Sequence, residues 1–263
     1  MKYSHIEKGI FIKRPNRFIA HVEVAGKEHV VHVKNTGRCK ELLVPGCTVF
    51  LEKSDNPARK TLYDLVAVIK KCDDGRELLI NMDSQAPNKV AAEWIKGNKA
   101  LFPEITFFKP EYTYGDSRFD FYFEYADASG CPHKMFLEVK GCTLEQDKVA
   151  MFPDAPTERG LKHVTELTEI QAGGEYECGV LILVQMEGCK VFRPNWSTHE
   201  AFGVALQKAE KGGVKIFAGE CAVTEDSLES RGNVPVDLTR SHHPCGHQPI
   251  NLIFLLPLLL EVL

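Results

Sequence analysis

Two acidic segments that lie close together in the sequence contain the residue types of a divalent-metal site. The first, SRFDFYFEY, contains Asp120, and the second, MFLEVKG, contains Glu138 and Lys140. Alternate side chains of an extended strand share a face, so Glu138 and Lys140 point the same way. If the two strands pair, two carboxylates and an ammonium meet on one surface. These groups can hold Mg²⁺ and a water molecule beside a phosphodiester.

The aromatic residues of the first segment favour the same arrangement. Phe119, Phe121 and Phe123 alternate with the acidic position, so the spacing predicts that they enter a core while Asp120 stays outside it. An alternative interpretation is a pair of amphipathic strands with solvated charges, which is the usual environment of charged residues. The order of the surrounding elements favours the metal site over this alternative.

Composition is that of a soluble globular protein with one large domain or two small ones: 263 residues, 44% hydrophobic and 26% charged. The nine cysteines are odd in number and form no CxxC pair, which favours reduced thiols over disulfides or a structural zinc site. The segment 1–18 is polar and basic and lacks the apolar stretch of a signal peptide. We therefore expect a cytoplasmic protein with no membrane partner.

Charge is distributed unevenly along the chain, although the total is −4. Residues 1–60 contain 12 Lys and Arg against 6 Asp and Glu, a net charge of +6, whereas the other 203 residues carry 20 against 30, a net charge of −10. A basic first quarter is typical of phosphate binding, and equally of a small β domain that is kept soluble by its charges.

The first 80 residues read as short strands rich in Val, Ile, Phe and Tyr, separated by turn signals such as Ala25-Gly26 and Pro45-Gly46. Many short strands with tight turns indicate a small closed barrel, for which we favour an OB-like form over an SH3-like one. The expected strands are 10–14, 17–24, 29–34, 47–53, 63–71 and 77–80.

The rest of the chain predicts an α/β domain with a mixed central sheet. A helix over 88–98 is followed by strands over 106–114, 118–126 and 135–142, a helix over 157–171 and a strand over 179–185 that is apolar on both faces. A strand over 190–193, a helix over 198–211 and a strand over 213–217 complete it. The core order α-β-β-β-α-β, with acids on the second and third strands, is that of restriction-endonuclease-like nucleases.

Several strings resemble the sugar fermentation stimulation protein family of bacteria and archaea. They are FIKRPNRFIAHV, NTGRCKELL, SDNPARK, SRFDF, EVKG and FPDAPTERGLKH. The resemblance runs from about Phe11 to about Leu238. It implies an OB-like domain over 1–82 and a PD-(D/E)xK-type domain over 83–238, α/β in class and α+β overall. It also implies DNA binding without marked sequence preference and a role in regulating sugar, especially maltose, metabolism.

The resemblance also implies roles for individual residues. Asp120 and Glu138 would be ligands of Mg²⁺ or Mn²⁺, since oxygen ligands suit these ions better than Zn²⁺. Lys140 would orient the attacking water and offset charge. A helical acid usually completes such sites, and Glu93 is the natural candidate, with Glu111 as the alternative.

Basic residues near the start of the chain are the expected nucleic-acid contacts, and DNA is the expected partner, with RNA as an alternative. Asn35 is part of this set, although Asn35-Thr36-Gly37 also fits an ordinary turn. Arg159 and Lys162 open a predicted helix and could hold a phosphate there, or Thr157 and Glu158 could simply cap that helix. The full set is Arg14, Arg17, Asn35, Arg38, Lys40, Arg59, Lys60, Arg118, Arg159 and Lys162.

Residues 239–263 depart from the family's pattern and are interpreted as an atypical, disordered tail. Its apolar run, Ile250–Leu260, is shorter than the roughly 20 residues needed to span a bilayer, and Pro257 interrupts it.

The sequence is compatible with two functions. The first is a DNA-binding protein of the sugar fermentation stimulation type. The second is a Mg²⁺-dependent nuclease that uses Asp120, Glu138 and Lys140, a trio that binding alone does not require.

Overall fold

Alternating apolar and polar residues in the first third of the chain form a closed five-stranded barrel. The computed structural model describes residues 1–35 and 37–240. The barrel strands are β1 (Ile6–Asn16), β2 (Ile19–Val24), β3 (Lys27–Val33), β4 (Thr48–Lys53) and β5 (Tyr63–Lys71), and β6 (Glu77–Asn81) pairs with β5. Neighbouring strands follow the order β3-β2-β1-β4-β5-β6, and a parallel pairing of β3 with β5 closes the barrel. The connectivity 1-2-3-5-4-1 is that of an OB-like barrel, so the structure favours this form over the SH3-like one.

A six-stranded mixed sheet forms the second domain, as expected. The elements of this domain are α1 (Ala86–Gly97), β7 (Glu104–Tyr114), β8 (Ser117–Ala126), β9 (Pro132–Cys142), α2 (Glu158–Ala172), β12 (Glu177–Val184), α3 (Glu200–Lys211), β14 (Lys215–Val223) and β15 (Leu228–Asn233). The order of the strands in the sheet is β15-β14-β12-β9-β8-β7, with β9, β12 and β14 parallel and the outer pairs antiparallel.

Three further strands form a small separate sheet of order β10-β11-β13: β10 (Leu144–Gln146), β11 (Val149–Phe152) and β13 (Val191–Pro194). The sequence did not predict β10, β11 or β15. β10 and β11 are too short to show an alternating pattern, and β15 (LESRGN) is mostly polar. The strand predicted over 190–193 exists as β13, but it pairs with β11 and not within the main sheet.

Helices cover both faces of the main sheet, so its central strand is buried on each side. Val180 and Ile182 of β12 lie in the core shared with α2, α3 and the barrel. Leu181 and Leu183 lie in the core shared with α1. This confirms the interpretation of GVLILV as a central strand that is apolar on both faces.

The two domains are joined by buried ion pairs as well as by the shared core. Glu145, whose side chain is 2% exposed, accepts hydrogen bonds from Lys70 Nζ at 2.7 Å, Arg76 Nη2 at 3.2 Å and the Lys148 N–H at 2.7 Å. Burial acts to raise its pKa, but the hydrogen bonds from Lys70 and Lys148 outweigh burial and lower it. Glu145 therefore ties the barrel to the second domain as an ionised carboxylate.

No helix in the described part of the chain is both long and apolar enough to cross a bilayer. The cysteines that the structure describes are all free thiols. Of the segment interpreted as a tail, residues 241–263 lie outside the described residues. Thr239 and Arg240 are described and remain attached, since Thr239 donates to Asp237 at 2.9 Å and Arg240 pairs with Glu200 at 2.6 Å.

Replacing Glu145 should weaken the junction between the domains. Glu145→Ala leaves the Lys70 ammonium without its buried partner, so we expect a loss of about 3–5 kcal/mol in the free energy of unfolding at neutral pH. The folded pKa of Glu145 lies below 4.5, so its contribution is present above that pH and is lost as the pH falls through the folded pKa. Urea unfolding of both proteins should therefore show a difference that shrinks in acid.

The exposed Glu210→Gln change on α3 is the control and should leave stability within about 0.5 kcal/mol of the parent. A difference between parent and Glu145→Ala that stays constant from neutral to acid pH would contradict the ionic role of Glu145.

Candidate metal centre and nucleic-acid interface

Strands β8 and β9 separate at Asp120, and its carboxylate occupies the gap. The pairing of the two strands ends at Phe121 and Leu137. Beyond it, Asp120 Oδ2 accepts the N–H of Val139 at 2.7 Å, and Oδ1 accepts from Asn88 Nδ2 of α1 at 2.8 Å. The side chain thus replaces the main-chain partner that β9 loses where the strands diverge.

The divergence also breaks the predicted alternation of the phenylalanines. Phe121 and Phe123 enter the core beneath α1, whereas Phe119 enters the core beneath α2, against Phe136 at 5.4 Å between ring centroids. The prediction that the three rings share one face is therefore wrong at Phe119. Asp120 is half-buried between the two cores and does not lie on an open surface.

Glu138 is buried, and its two carboxylate oxygens have different environments. Oε1 lies 2.5 Å from Lys140 Nζ and 2.5 Å from His163 Nδ1 of α2. Oε2 is buried and has no hydrogen-bond partner among the described residues. An unpartnered buried oxygen on a charged group is costly, so this atom marks a place where a ligand would stabilise the protein.

The pKa values of the two acids are displaced in opposite directions. Burial, followed by the charge of Glu138, raises the pKa of Asp120, although the Val139 N–H and Asn88 act against this. Burial also acts to raise the pKa of Glu138, but the hydrogen bond from His163 and the ammonium of Lys140 outweigh it, and that pKa is lowered. The hydrogen bond from His163 and the Lys140 ammonium therefore compensate the charge of Glu138 more fully than the charge of Asp120 is compensated.

The residues present fit a hard divalent cation. Two carboxylates are available, one with an unused oxygen, and Mg²⁺ is commonly held by one or two carboxylates with water and phosphate oxygens completing its shell. Within residues 1–35 and 37–240, no group of three or more His, Cys, Asp or Glu side chains is placed to hold a metal. This donor set excludes a closed structural zinc site, which needs four N or S ligands.

Neither candidate for a third acidic ligand joins this pair. Glu93 accepts from the N-terminal ammonium of Met1 at 3.1 Å. Glu111 lies 3.7 Å from Arg118, and both side chains are exposed. α1 turns Glu93 toward the N-terminus, while Asn88, five residues earlier, faces Asp120, so the assignment of Glu93 as a metal ligand stays a prediction that this geometry does not favour.

Arg14 and Asn35, two predicted nucleic-acid contacts, instead build a loop. The guanidinium of Arg14 donates to the carbonyls of Arg17, Asn35, Gly37 and Arg38 at 2.6–3.0 Å. The Asn35 side chain accepts the Gly37 N–H at 2.7 Å and donates to the Met82 carbonyl at 2.9 Å. Both groups are committed to main-chain partners, so the turn interpretation of this segment is the one that the geometry favours.

Three more basic residues of the predicted set are paired with acids. Arg59 makes a two-pronged contact with the buried Asp64, at 2.6 and 2.8 Å. Arg118 faces Glu111, and Lys162 pairs with Glu166 at 3.4 Å on the surface of α2. The Arg59 contact compensates a buried acid. The two surface ion pairs contribute little to folding stability and leave the Arg118 and Lys162 side chains accessible.

The remaining basic residues are exposed, and most of them line one groove. Lys13, Arg17, Arg38 and Lys40 surround it together with Phe11 and Leu43. We call this the basic groove. Lys60 and Arg159 are also exposed but lie outside it. Lys13 was not predicted, although its spacing from Arg17 and the local excess of charge were visible in the sequence.

A second depression between the domains, which we call the cleft, adjoins the basic groove. Gly37 and Ala155 line both, and the cleft continues past Asp154 to Asn88 and Val139, the two residues that contact Asp120. Burial raises the pKa of Asp154, which lies near Arg14 and Arg38. The basic groove and the cleft therefore share a border, and the cleft reaches the two residues that hold the Asp120 carboxylate.

Gly141 explains why the acidic motif ends as EVKG. Its Cα faces the cleft, and a Cβ built there would overlap the Gln185 side chain and Pro87. Gln185 in turn donates to Asn81 Oδ1 at 3.1 Å and to the Asp83 carbonyl at 3.2 Å. Glycine thus allows β9 to approach Pro87, at the start of α1, and Gln185 closely.

Sequence reasoning missed two residues of the site. Asn88 is the first residue of the helix predicted over 88–98, and its side chain contacts Asp120 from within α1. His163 was not among the predicted site residues, but it is buried against Glu138. A signal for His163 was present: it lies at helical spacing between Gly160 and Leu167, both on the buried face of α2. By contrast, the predicted cap is confirmed, since Thr157 Oγ1 accepts the Gly160 N–H at 3.1 Å.

Comparison with known proteins agrees with this architecture. Residues 12–80 match the family model described as SfsA N-terminal OB domain, and residues 85–227 match the sugar fermentation stimulation protein RE domain. Sugar fermentation stimulation protein homologs of Desulfitobacterium hafniense and Ruminiclostridium cellulolyticum are 54% and 51% identical, over 90% of this chain and 99% and 100% of theirs. The structure of Pyrococcus furiosus SfsA in complex with Ca²⁺ matches with a TM-score of 0.75 and 25% identity, covering 90% of this chain and 98% of the other. The chain belongs to the sugar fermentation stimulation protein family.

Proposed function

We propose that this protein binds DNA across the basic groove and the cleft and cleaves its phosphodiester bonds with a divalent metal held by Asp120 and Glu138. The observation that carries the proposal is the buried, unpartnered Oε2 of Glu138 beside Asp120 and Lys140. A protein that only binds the outside of a duplex has no need to place a half-buried acid within electrostatic reach of a buried one, because that arrangement destabilises the fold.

Mg²⁺ or Mn²⁺ is the cation that the donor set favours, since carboxylate oxygens suit these ions. When bound, such an ion would supply Lewis-acid polarisation of a phosphoryl oxygen and a nucleophilic water. The relative from Pyrococcus furiosus, whose structure is described as a complex with Ca²⁺, supports a hard divalent cation.

The protein's own side chains have separable tasks in this proposal. Asn88 and the Val139 N–H hold Asp120 in one orientation. Lys140, whose side chain is 16% exposed, keeps an ammonium beside Glu138 at the surface of the site. That charge can stabilise the negative charge that develops on the phosphoryl group and can hold a water in place for attack.

The basic groove supports a polyanionic substrate. Lys13, Arg17, Arg38 and Lys40 are exposed there, and the Arg14 guanidinium holds the loop that carries Arg38. Basic side chains such as these contact phosphate groups and not base edges, so the protein should bind DNA of different sequences. RNA carries the same phosphates, and comparison of the two polymers is part of the test.

Cleavage of labelled single- and double-stranded DNA, with RNA in parallel, tests the proposal. We expect cutting with Mg²⁺ or Mn²⁺, none with EDTA, and a loss of at least about a hundredfold in Asp120→Asn, because one ligand charge is removed while the shape is kept. Asp116→Asn, an exposed change in the turn before β8, is the matched control and should cut as the parent does. Metal-independent cutting, or equal cutting by Asp120→Asn, would contradict the proposal.

The groove makes a separate prediction about affinity. The double change Arg38→Ala with Lys40→Ala should weaken DNA binding and reduce the slope of log affinity against log salt by about 0.9 for each phosphate that the variant no longer neutralises. Lys208→Ala with Lys211→Ala, in the last turn of α3, removes the same charge elsewhere and is the control. Fluorescence anisotropy over a salt series provides the measurement, and equal slopes for both double variants would contradict the assignment of the groove.

A second candidate function is DNA binding without cleavage, in the cytoplasm, with a role in sugar (maltose) metabolism. The basic groove favours it, because that groove is complete without the carboxylate pair. The two assays separate the candidates, since salt-sensitive binding with no cutting under any metal condition selects the second.

A further inference from the structure

His163 is an unusual residue for the buried face of α2. Its side chain is 7% exposed and lies between Glu138 and the ring of Phe119, whose centroid is 5.9 Å away in an edge-on arrangement. The other buried residues of this helix are Gly160, Val164 and Leu167, which serve packing alone. A polar ring on such a face requires a partner, and the partner is Glu138 Oε1 at 2.5 Å.

The direction of this hydrogen bond follows from the state of the carboxyl group. Both oxygens of a carboxylate act as acceptors, so the Nδ1–H of His163 donates to Glu138 Oε1 at 2.5 Å. Lys140 donates to the same oxygen. Two donors on Oε1 fix the torsion of the carboxylate and leave Oε2 without a partner among the described residues.

His163 is more enclosed than Lys140, the other donor to Glu138. It lies in the second turn of α2, after the Thr157 cap, and its ring packs against Phe119. The Thr157 N–H is in turn 3.3 Å from His199 Nδ1. Lys140 is flexible and partly exposed, so it neutralises Glu138 without fixing its orientation as firmly.

We propose that His163 is a positioning residue that turns Glu138 so that Oε1 faces the two donors and Oε2 faces the divalent cation. The inference rests on the proposed metal site and adds to it the residue that orients one ligand. Outer-shell hydrogen bonds of this kind typically change metal affinity by about 10–100-fold when they are removed.

Binding of Mn²⁺ alone to the full chain, measured by isothermal titration calorimetry, tests the proposal without relying on cleavage. His163→Ala should weaken Mn²⁺ binding at least about tenfold, because Glu138 then keeps Lys140 as its remaining donor. His163→Asn should bind within about threefold of the parent, because the asparagine amide nitrogen can occupy the position of Nδ1.

Val164→Ala is the matched control for a purely structural effect. Val164 is the neighbouring buried residue of α2, and its truncation costs packing without touching Glu138. It should lower the thermal midpoint measured in EDTA and leave Mn²⁺ affinity within about threefold of the parent. Weaker affinity in His163→Ala, together with recovery in His163→Asn, supports the role of the donor.

Two results overturn the proposal: Mn²⁺ affinity in His163→Ala equal to that of the parent, or an equal loss of affinity in Val164→Ala. If the proposed metal site itself does not exist, the result is different, because the parent protein then binds no Mn²⁺. The asparagine variant keeps the test informative if His163→Ala does not fold.

Discussion

Burial of the Glu138 carboxylate between β9 and α2 is the constraint to which the rest of the second domain is adapted. An isolated buried carboxylate would cost several kcal/mol. The chain offsets this cost by directing Lys140 and His163 to one oxygen, and it leaves the second oxygen unpartnered. Nearby, Asp120 takes the place of a strand partner for β9. The result is a polar site between the two cores, beside Asn88 and Val139, which line the cleft.

The scaffold around this site is rigid because its central strand is buried on both faces. β12 packs toward α1 through Leu181 and Leu183 and toward α2 and α3 through Val180 and Ile182. Since β9 pairs with β12 from Met135 to Cys142, the segment that contains Glu138 and Lys140 cannot shift without breaking both cores. Gly141 then allows β9 to approach Gln185 and the segment that joins the domains.

Only some of the basic residues in the first domain have charges that are available to a ligand. Arg14 donates to four main-chain carbonyls, and Arg59 is bound to Asp64, so neither guanidinium is free for phosphate. The planar, many-donor geometry of arginine suits both uses equally well. Lys13, Arg17, Arg38 and Lys40 keep their charges exposed, and the basic groove is therefore smaller than the basic segment that forms it.

The sequence by itself determined the order and type of most elements and the pairing of Asp120, Glu138 and Lys140 on adjacent strands. These features depend on local alternation and on turn residues, which act between near neighbours along the chain. The tertiary structure alone decided the partners of Glu93, Arg14 and Arg59, and it brought Asn88 and His163 to the acids. Contacts such as Glu138 with His163 join residues 25 positions apart on different elements. Which of several polar groups meets an acid then depends on how the helices sit on the sheet, and no local pattern carries that information.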